Sequence, residues 1–199
     1  MNMPLDLRNL TPSIINDIRP FGGWPIIYAD PPWDFSGNSK DKPGKNARAH
    51  YPTMKVPDIA ALPVKTLAAD DALLLMWVTA PFAELAFKVV KAWGFQYKSQ
   101  LTWPKSNVAH GYWARGAHEL LYICRRRRFP CELPALFPTS IIPGRTREHS
   151  RKPEWVAQIV ESRFPDLPKL ELFARAARPG WSVLGNQTDK FQTSGRAAE

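Results

Sequence analysis

Pro25-Ile26-Ile27-Tyr28-Ala29-Asp30-Pro31-Pro32-Trp33 is the stretch that decides how this chain folds. Residues 25–29 form an apolar run of strand length, too short for a buried helix. It stops at an acid followed by two prolines, neither of which can donate to a sheet ladder. A strand that is apolar on both faces and ends this abruptly belongs to a parallel sheet covered by helices. Ligands of open α/β sheets bind beyond the carboxyl ends of such strands, so position alone makes Asp30 a site candidate.

Working outward, residues 72–78 (Ala-Leu-Leu-Leu-Met-Trp-Val) predict a second buried strand. A helix follows over residues 81–93, with Leu85, Ala86, Val89, Val90 and Trp93 on one face, Pro81 in its first turn and Gly94 just past its end. Residues 95–103 and 119–124 predict further strands, residues 153–163 a second helix, and residues 169–173 and 181–184 two more strands. Alternating strands and helices give an α/β fold, a mostly parallel sheet with helices on both faces. Asn186, just past the last strand, is a second site candidate by position. Residues 1–20, punctuated by Pro4, Pro12 and Pro20, are expected to be an irregular N-terminal arm with at most two helical turns. Residues 21–190 then form the folded domain and residues 191–199 a flexible tail. Residues 34–52 are a long loop rich in Gly, Ser, Asn, Lys and Pro; loops of this length are lids, binding loops or disordered segments.

The chain of 199 residues is long enough to bury a substantial core without staples. Its net charge of +9 favours a polyanionic partner, because Lys and Arg that neutralise phosphates release counterions. Cys124 and Cys131 match neither a redox pair nor a zinc knuckle, and the four His residues are scattered, which argues against a metal site and for a reduced compartment. No apolar stretch is long enough to cross a bilayer and no leader is visible, so a cytoplasmic protein with no membrane partner is expected. Residues 125–128, four consecutive arginines, are either a solvated turn or, with Lys105, Arg115 and the loop at residues 40–48, a surface that tracks phosphates.

The chemistry rests on Asp30-Pro31-Pro32-Trp33. An exocyclic amino group on a purine is a poor nucleophile, because its lone pair is delocalised into the ring. Acceptors that take its two protons let the nitrogen pyramidalise. The Asp30 carboxylate and the Pro31 carbonyl, stiffened by Pro32, are two such acceptors fixed at one strand end. Trp33 would give an extruded base a flat face to stack on. The alternative is a proline-stiffened turn in which Asp30 caps amides and Trp33 plugs the core.

Further segments match one family in order: His50-Tyr51-Pro52-Thr53-Met54, Leu75-Met76-Trp77-Val78-Thr79, Trp93-Gly94-Phe95, Leu101-Thr102-Trp103-Pro104-Lys105, Gly111-Tyr112-Trp113 with His118-Glu119, residues 147–154, Glu171-Leu172-Phe173-Ala174-Arg175, Pro179-Gly180-Trp181 and Leu184-Gly185-Asn186-Gln187. Over residues 26–187 the chain resembles the adenine-N6 methyltransferases typified by the catalytic subunit of the eukaryotic mRNA adenosine methyltransferase, a family with bacterial and phage members. The resemblance implies a Rossmann-like S-adenosylmethionine-dependent methyltransferase fold, with the catalytic loop ahead of much of the cofactor site. It implies Asp30, Pro31, Pro32 and Trp33 as catalytic, and Asp30, Lys152, Arg175, Asn186 and Gln187 as cofactor-binding, with Lys152 on the methionine carboxylate and the two amides on ribose or adenine. Trp33, Tyr51, His118 and Glu119 would bind the substrate. Between Arg175 and Trp181 the chain is shorter than the eukaryotic pattern and lacks its His-Asn pair. The expected activity is N6 methylation of adenine in nucleic acid, DNA before RNA. The alternatives are an RNA enzyme, a cytosine-N4 enzyme, or an inactive nucleic-acid-binding partner subunit. The resemblance leaves open a homodimer or a partner subunit.

Overall fold

A computed structural model describes residues 2–3, 7–34, 53–106, 108, 113–130, 135–146 and 151–185. One seven-stranded sheet organises them. In chain order its strands are β1 (Asn2–Met3), β2 (Trp24–Ala29), β3 (Ala68–Thr79), β4 (Gln96–Pro104), β5 (His118–Arg126), β6 (Lys169–Leu172) and β7 (Trp181–Leu184). In space the order is β1-β7-β6-β2-β3-β5-β4. The first five of these neighbours pair in parallel, whereas β5 runs antiparallel to both β3 and β4, so β5 alone opposes the rest.

Period-2 alternation explains why the central strands look uniformly apolar: both of their faces are buried. Ile27, Ala29, Leu74, Met76, Val78, Tyr122 and Cys124 face one core, under α1 (Pro12–Ile18), α2 (Val56–Ala60), α3 (Val64–Leu67) and α4 (Ala83–Ala92). Ile26, Tyr28, Leu73, Leu75, Trp77 and Leu121 face the other, under α5 (Trp155–Arg163) through Val156, Ala157 and Val160. Helices on both faces of a mostly parallel sheet are what the apolar pattern predicts.

Three features depart from that pattern. The strand after α4 does not pair with β3; β5 takes the central place and β4 goes to the edge. The reason is polarity, since Gln96, Lys98, Ser99 and Gln100 of β4 are exposed while β5 buries Leu120, Leu121, Tyr122 and Cys124. Within the segment that looks like an irregular arm, Thr11 caps α1 by accepting the Ile14 N–H at 3.3 Å, Leu7 and Ile15 enter the core, and residues 2–3 pair with β7. Finally, α2 and α3 fill the approach to β3. Among the described residues no helix is long and apolar enough to cross a membrane.

The arrangement places the site. From β2 the chain proceeds to β3 on one side, and β6 later lands on the other, so the carboxyl end of β2 is a switch point with an open crevice. Asp30 is the first residue past that end.

Candidate active site

Residues 31–34, directly after β2, are tied down by hydrogen bonds. The Pro31 carbonyl accepts the Trp33 N–H at 2.9 Å, closing a tight turn around Pro32. Met54 donates its N–H to Pro32 at 2.8 Å and accepts from Asp34 at 3.0 Å, and the Thr53 hydroxyl donates to Asp34 at 3.0 Å.

Trp33 departs from expectation. It is only 4% exposed, its indole N–H donates to the Trp77 carbonyl at 3.1 Å, and Phe82 stacks on its ring at 5.4 Å. An indole is large and apolar with one donor at its rim, and the end of β3 offers a carbonyl for that donor beside an apolar recess. Trp33 therefore anchors the loop, and the face expected to receive a base is covered.

Asp30 does not cap the turn. Its carboxylate heads a chain of alternating charge drawn from four parts of the sequence. The Lys152 ammonium, just ahead of α5, donates to Asp30 Oδ2 at 2.7 Å and lies 3.4 Å from Glu119 Oε2. Glu119 Oε1 is in direct contact with the ammonium of Lys105, one residue past β4. Lys152 also lies over the Trp77 ring at 5.5 Å, while the Trp77 indole donates to the Tyr28 hydroxyl at 2.6 Å. Burial would raise the Glu119 carboxyl, but the two ammoniums outweigh it and hold the group below the usual carboxylate range. Burial would likewise lower Lys152, and Asp30 and Glu119 more than reverse that. Glu119, expected to face the substrate, is buried with Oε1 on Lys105 and with Oε2 3.4 Å from the Lys152 ammonium but without a hydrogen-bond partner among the described residues, whereas His118 beside it is exposed.

A cleft opens between the ends of β2 and β6, lined by Tyr28, Asp30, Lys152, Glu171, Arg175 and Arg178 among others. Burial pushes the Glu171 carboxyl up to about 7, with Arg178 offsetting only part of the effect. Arg178 itself is held by Glu171 at 3.4 Å and Glu154 at 2.8 Å. At the cleft floor Phe173 adopts φ +63, a left-handed conformation that is strained for an aromatic residue. A Cβ on Gly185 would stand 2.3 Å from the Ala174 carbonyl, so only glycine lets these two chain segments approach.

The structure therefore brings Asp30, Lys152, Glu119 and Arg175 to one end of the sheet. Tyr51, Asn186 and Gln187 lie outside the described residues. Trp77, Glu171 and Arg178 are not legible in the sequence as neighbours of Asp30, and Lys105 is legible there only as a candidate phosphate contact; the available signal is Glu171, an acid that interrupts an otherwise buried run. The arginines at residues 125–128 are not beside the site. Glu119 pairs with Thr79 and Arg126 with Ala72, seven residues away, which is about 23 Å along a strand. There Arg127 meets Asp70 at 3.1 Å and the Arg128 N–H donates to Asp71 at 2.8 Å. Residues 40–48, on which the expected phosphate-tracking surface also drew, lie outside the described residues; among the described ones β5 carries residues 125–128 to the opposite end of the sheet from Lys105.

The sheet is Rossmann-like, mostly parallel with one reversed strand, and it holds an acid against a lysine at its switch point. Residues 24–187 match the MT-A70 family model, and the chain belongs to that family of S-adenosylmethionine-dependent methyltransferases. It is 31% identical over 176 residues to the type II methyltransferase M.MunI of Mycoplasma sp, covering 80% of this chain and 76% of that one. It is 30% identical to the N(6)-adenosine-methyltransferase MT-A70-like protein of Drosophila melanogaster, covering 87% of this chain and 28% of that protein. With the N(6)-adenosine-methyltransferase catalytic subunit METTL3 of Homo sapiens it shares 27% identity, over 92% of this chain and 30% of that protein. The chain thus spans most of the Mycoplasma relative and under a third of these two animal relatives.

Proposed function

We propose that the chain transfers the methyl group of S-adenosylmethionine to the N6 amino group of adenine in DNA. The observation that carries this reading is the Asp30 carboxylate, fixed by Lys152 at the switch point and followed by the Pro31-Pro32 turn. Lys152 takes Oδ2, which leaves Oδ1 to accept one amino N–H. The Pro31 carbonyl has two lone pairs and gives one to Trp33, so the second can accept the other N–H. With both protons held, the nitrogen lone pair turns out of the ring plane toward the methyl group. As the C–N bond would form and the methyl–sulfur bond break, releasing S-adenosylhomocysteine, the Asp30 carboxylate and the Pro31 carbonyl would stabilise the positive charge growing on nitrogen, and the surplus proton would then leave to solvent.

The cleft fits the cofactor in its donor set. Lys152 and Arg175 offer cations to a methionine carboxylate, and Glu171 offers an acceptor to an ammonium or to ribose hydroxyls. When bound, S-adenosylmethionine supplies an electrophilic methyl on sulfonium. Lys152 would then hold the cofactor carboxylate while its contact to Asp30 keeps the acid in place.

DNA is favoured because the relative matched over most of both chains bears the name of a type II methyltransferase, a term of DNA modification. The second reading is adenosine in RNA, favoured by the names of the animal relatives. Labelled S-adenosylmethionine incubated with DNA and, separately, with RNA, followed by digestion and mass spectrometry, identifies the product nucleoside. N6-methyladenine from DNA alone is the expected result; N4-methylcytosine, or no transfer, would overturn the proposal. Asp30→Ala should lower the transfer rate by about 10²- to 10³-fold with cofactor affinity largely kept, and near-normal turnover would refute the role given to Asp30.

A further inference from the structure

Six of the eight tryptophans are buried, Trp155 is half-buried, and Trp113 is 102% exposed. We propose that Trp113 stacks on a nucleic-acid base beside the adenine being modified, and that the sheet end bearing it is the nucleic-acid face; the inference rests on the proposed nucleic-acid substrate.

Trp113 lies in the connection from β4 to β5. The Lys105 N–H donates to the Ala117 carbonyl at 2.8 Å, pinning the base of that connection. Trp113 is four residues from Ala117, hence within about 14 Å of the pinned base even at full extension. The two residues flanking the connection, Lys105 and Glu119, are the outer half of the charge chain that ends on Asp30. An exposed indole is thus tethered to the same sheet end as the acid.

Among the described residues of 105–118 the charged ones are Lys105 and Arg115, both basic, and Arg115 is exposed, so the indole stands on a segment that attracts phosphates. At the far end of the sheet Asp70 lies 3.8 Å from Arg126 and 3.1 Å from Arg127, and Asp71 accepts the Arg128 backbone N–H, so that basic stretch is partly offset and stands away from the reacting acid. A base removed from its stack for chemistry leaves neighbours with uncovered faces, and a flat side chain near the reacting acid meets that need. Trp33 is covered by Phe82 and cannot do so.

The test uses the full chain, wild type and with Trp113→Ala, Trp113→Phe or Arg127→Ser, against a short adenine-containing DNA duplex and an RNA of the same sequence. Methyl transfer, cofactor affinity and tryptophan fluorescence are read in each. Trp113→Ala should raise the nucleic-acid KM by about 5- to 100-fold without moving cofactor affinity. Trp113→Phe should keep most of the KM and lose the fluorescence quenching that polymer causes in the wild type. Arg127→Ser should match the wild type. If transfer proceeds but Trp113→Ala changes neither KM nor quenching, this inference falls and the proposed function stands. If Trp113→Ala instead shifts only the sedimenting mass, the face is a contact between copies and the inference is likewise overturned. Neither methylation nor quenching with either polymer would sink both.

Discussion

Glu119→Gln should cost about 3 kcal/mol of stability, although the substitution changes one oxygen into a nitrogen. At an effective dielectric near 20, a carboxylate 3.4 Å from an ammonium is attracted by about 5 kcal/mol, and Glu119 faces two ammoniums. Its side chain is 7% exposed and that of Lys152 11%, so water screens the pair little. Part of the attraction survives the substitution. The amide keeps one acceptor, Lys152 keeps Asp30, and the partly exposed Lys105 can turn its head to solvent. The remainder, roughly 2–4 kcal/mol, overlaps the cost of removing one partner from a buried pair. In a domain of this size it corresponds to a fall in Tm of about 6–12 °C. The assay is thermal unfolding at neutral pH, with Asp70→Asn as a control at an exposed pair, expected within about 0.5 kcal/mol of wild type. The Glu119 carboxyl is held below its ordinary value, so its contribution is full above about pH 4.3 and disappears as pH falls through the lower folded value. The gap between wild type and variant should therefore close in acid. A loss of under about 2 °C at neutral pH, or a gap that persists unchanged into acid, would refute the clamp.

Trp33→Ala should destabilise the protein by about 3–5 kcal/mol, and Trp33→Phe by less, in urea unfolding; a raised nucleic-acid KM with unchanged stability would instead restore Trp33 as a stacking face. Glu171 titrates near 7 because it is buried, so cofactor binding measured calorimetrically from pH 6 to 8 should tighten as pH rises and the carboxylate ionises. Glu171→Gln should flatten that profile, and an identical slope in the variant would remove Glu171 from the cleft's chemistry.

The cleft and the charge chain differ in how visible they are along the sequence. Asp30 can be found from local information, because an apolar run halted by two prolines has few structural meanings. Lys152 and Arg175 enter through likeness to a family, and the structure adds that Lys152 grips Asp30 across 122 residues of chain. No local pattern encodes such a pair. Glu119 looks like a polar residue at a strand start, and only the antiparallel insertion of β5 beside β3 carries it to Lys152. The same insertion sends the arginines at residues 125–128 to the opposite end, which their spacing along the chain does not reveal.

What the sequence by itself determined are the elements whose side chains declare their own burial. The runs of β2, β3 and β5 are apolar because both sheet faces are covered, and α4 shows its inward face at helical period. The short elements stay silent: α2 and α3 span five and four residues, too few for a period to show. Tertiary structure alone decided strand order, the direction of β5, and the fate of Trp33. An indole has the same composition whether it stacks on a base or on Phe82, and the choice depends on a recess and a carbonyl at the end of β3, supplied more than forty residues away.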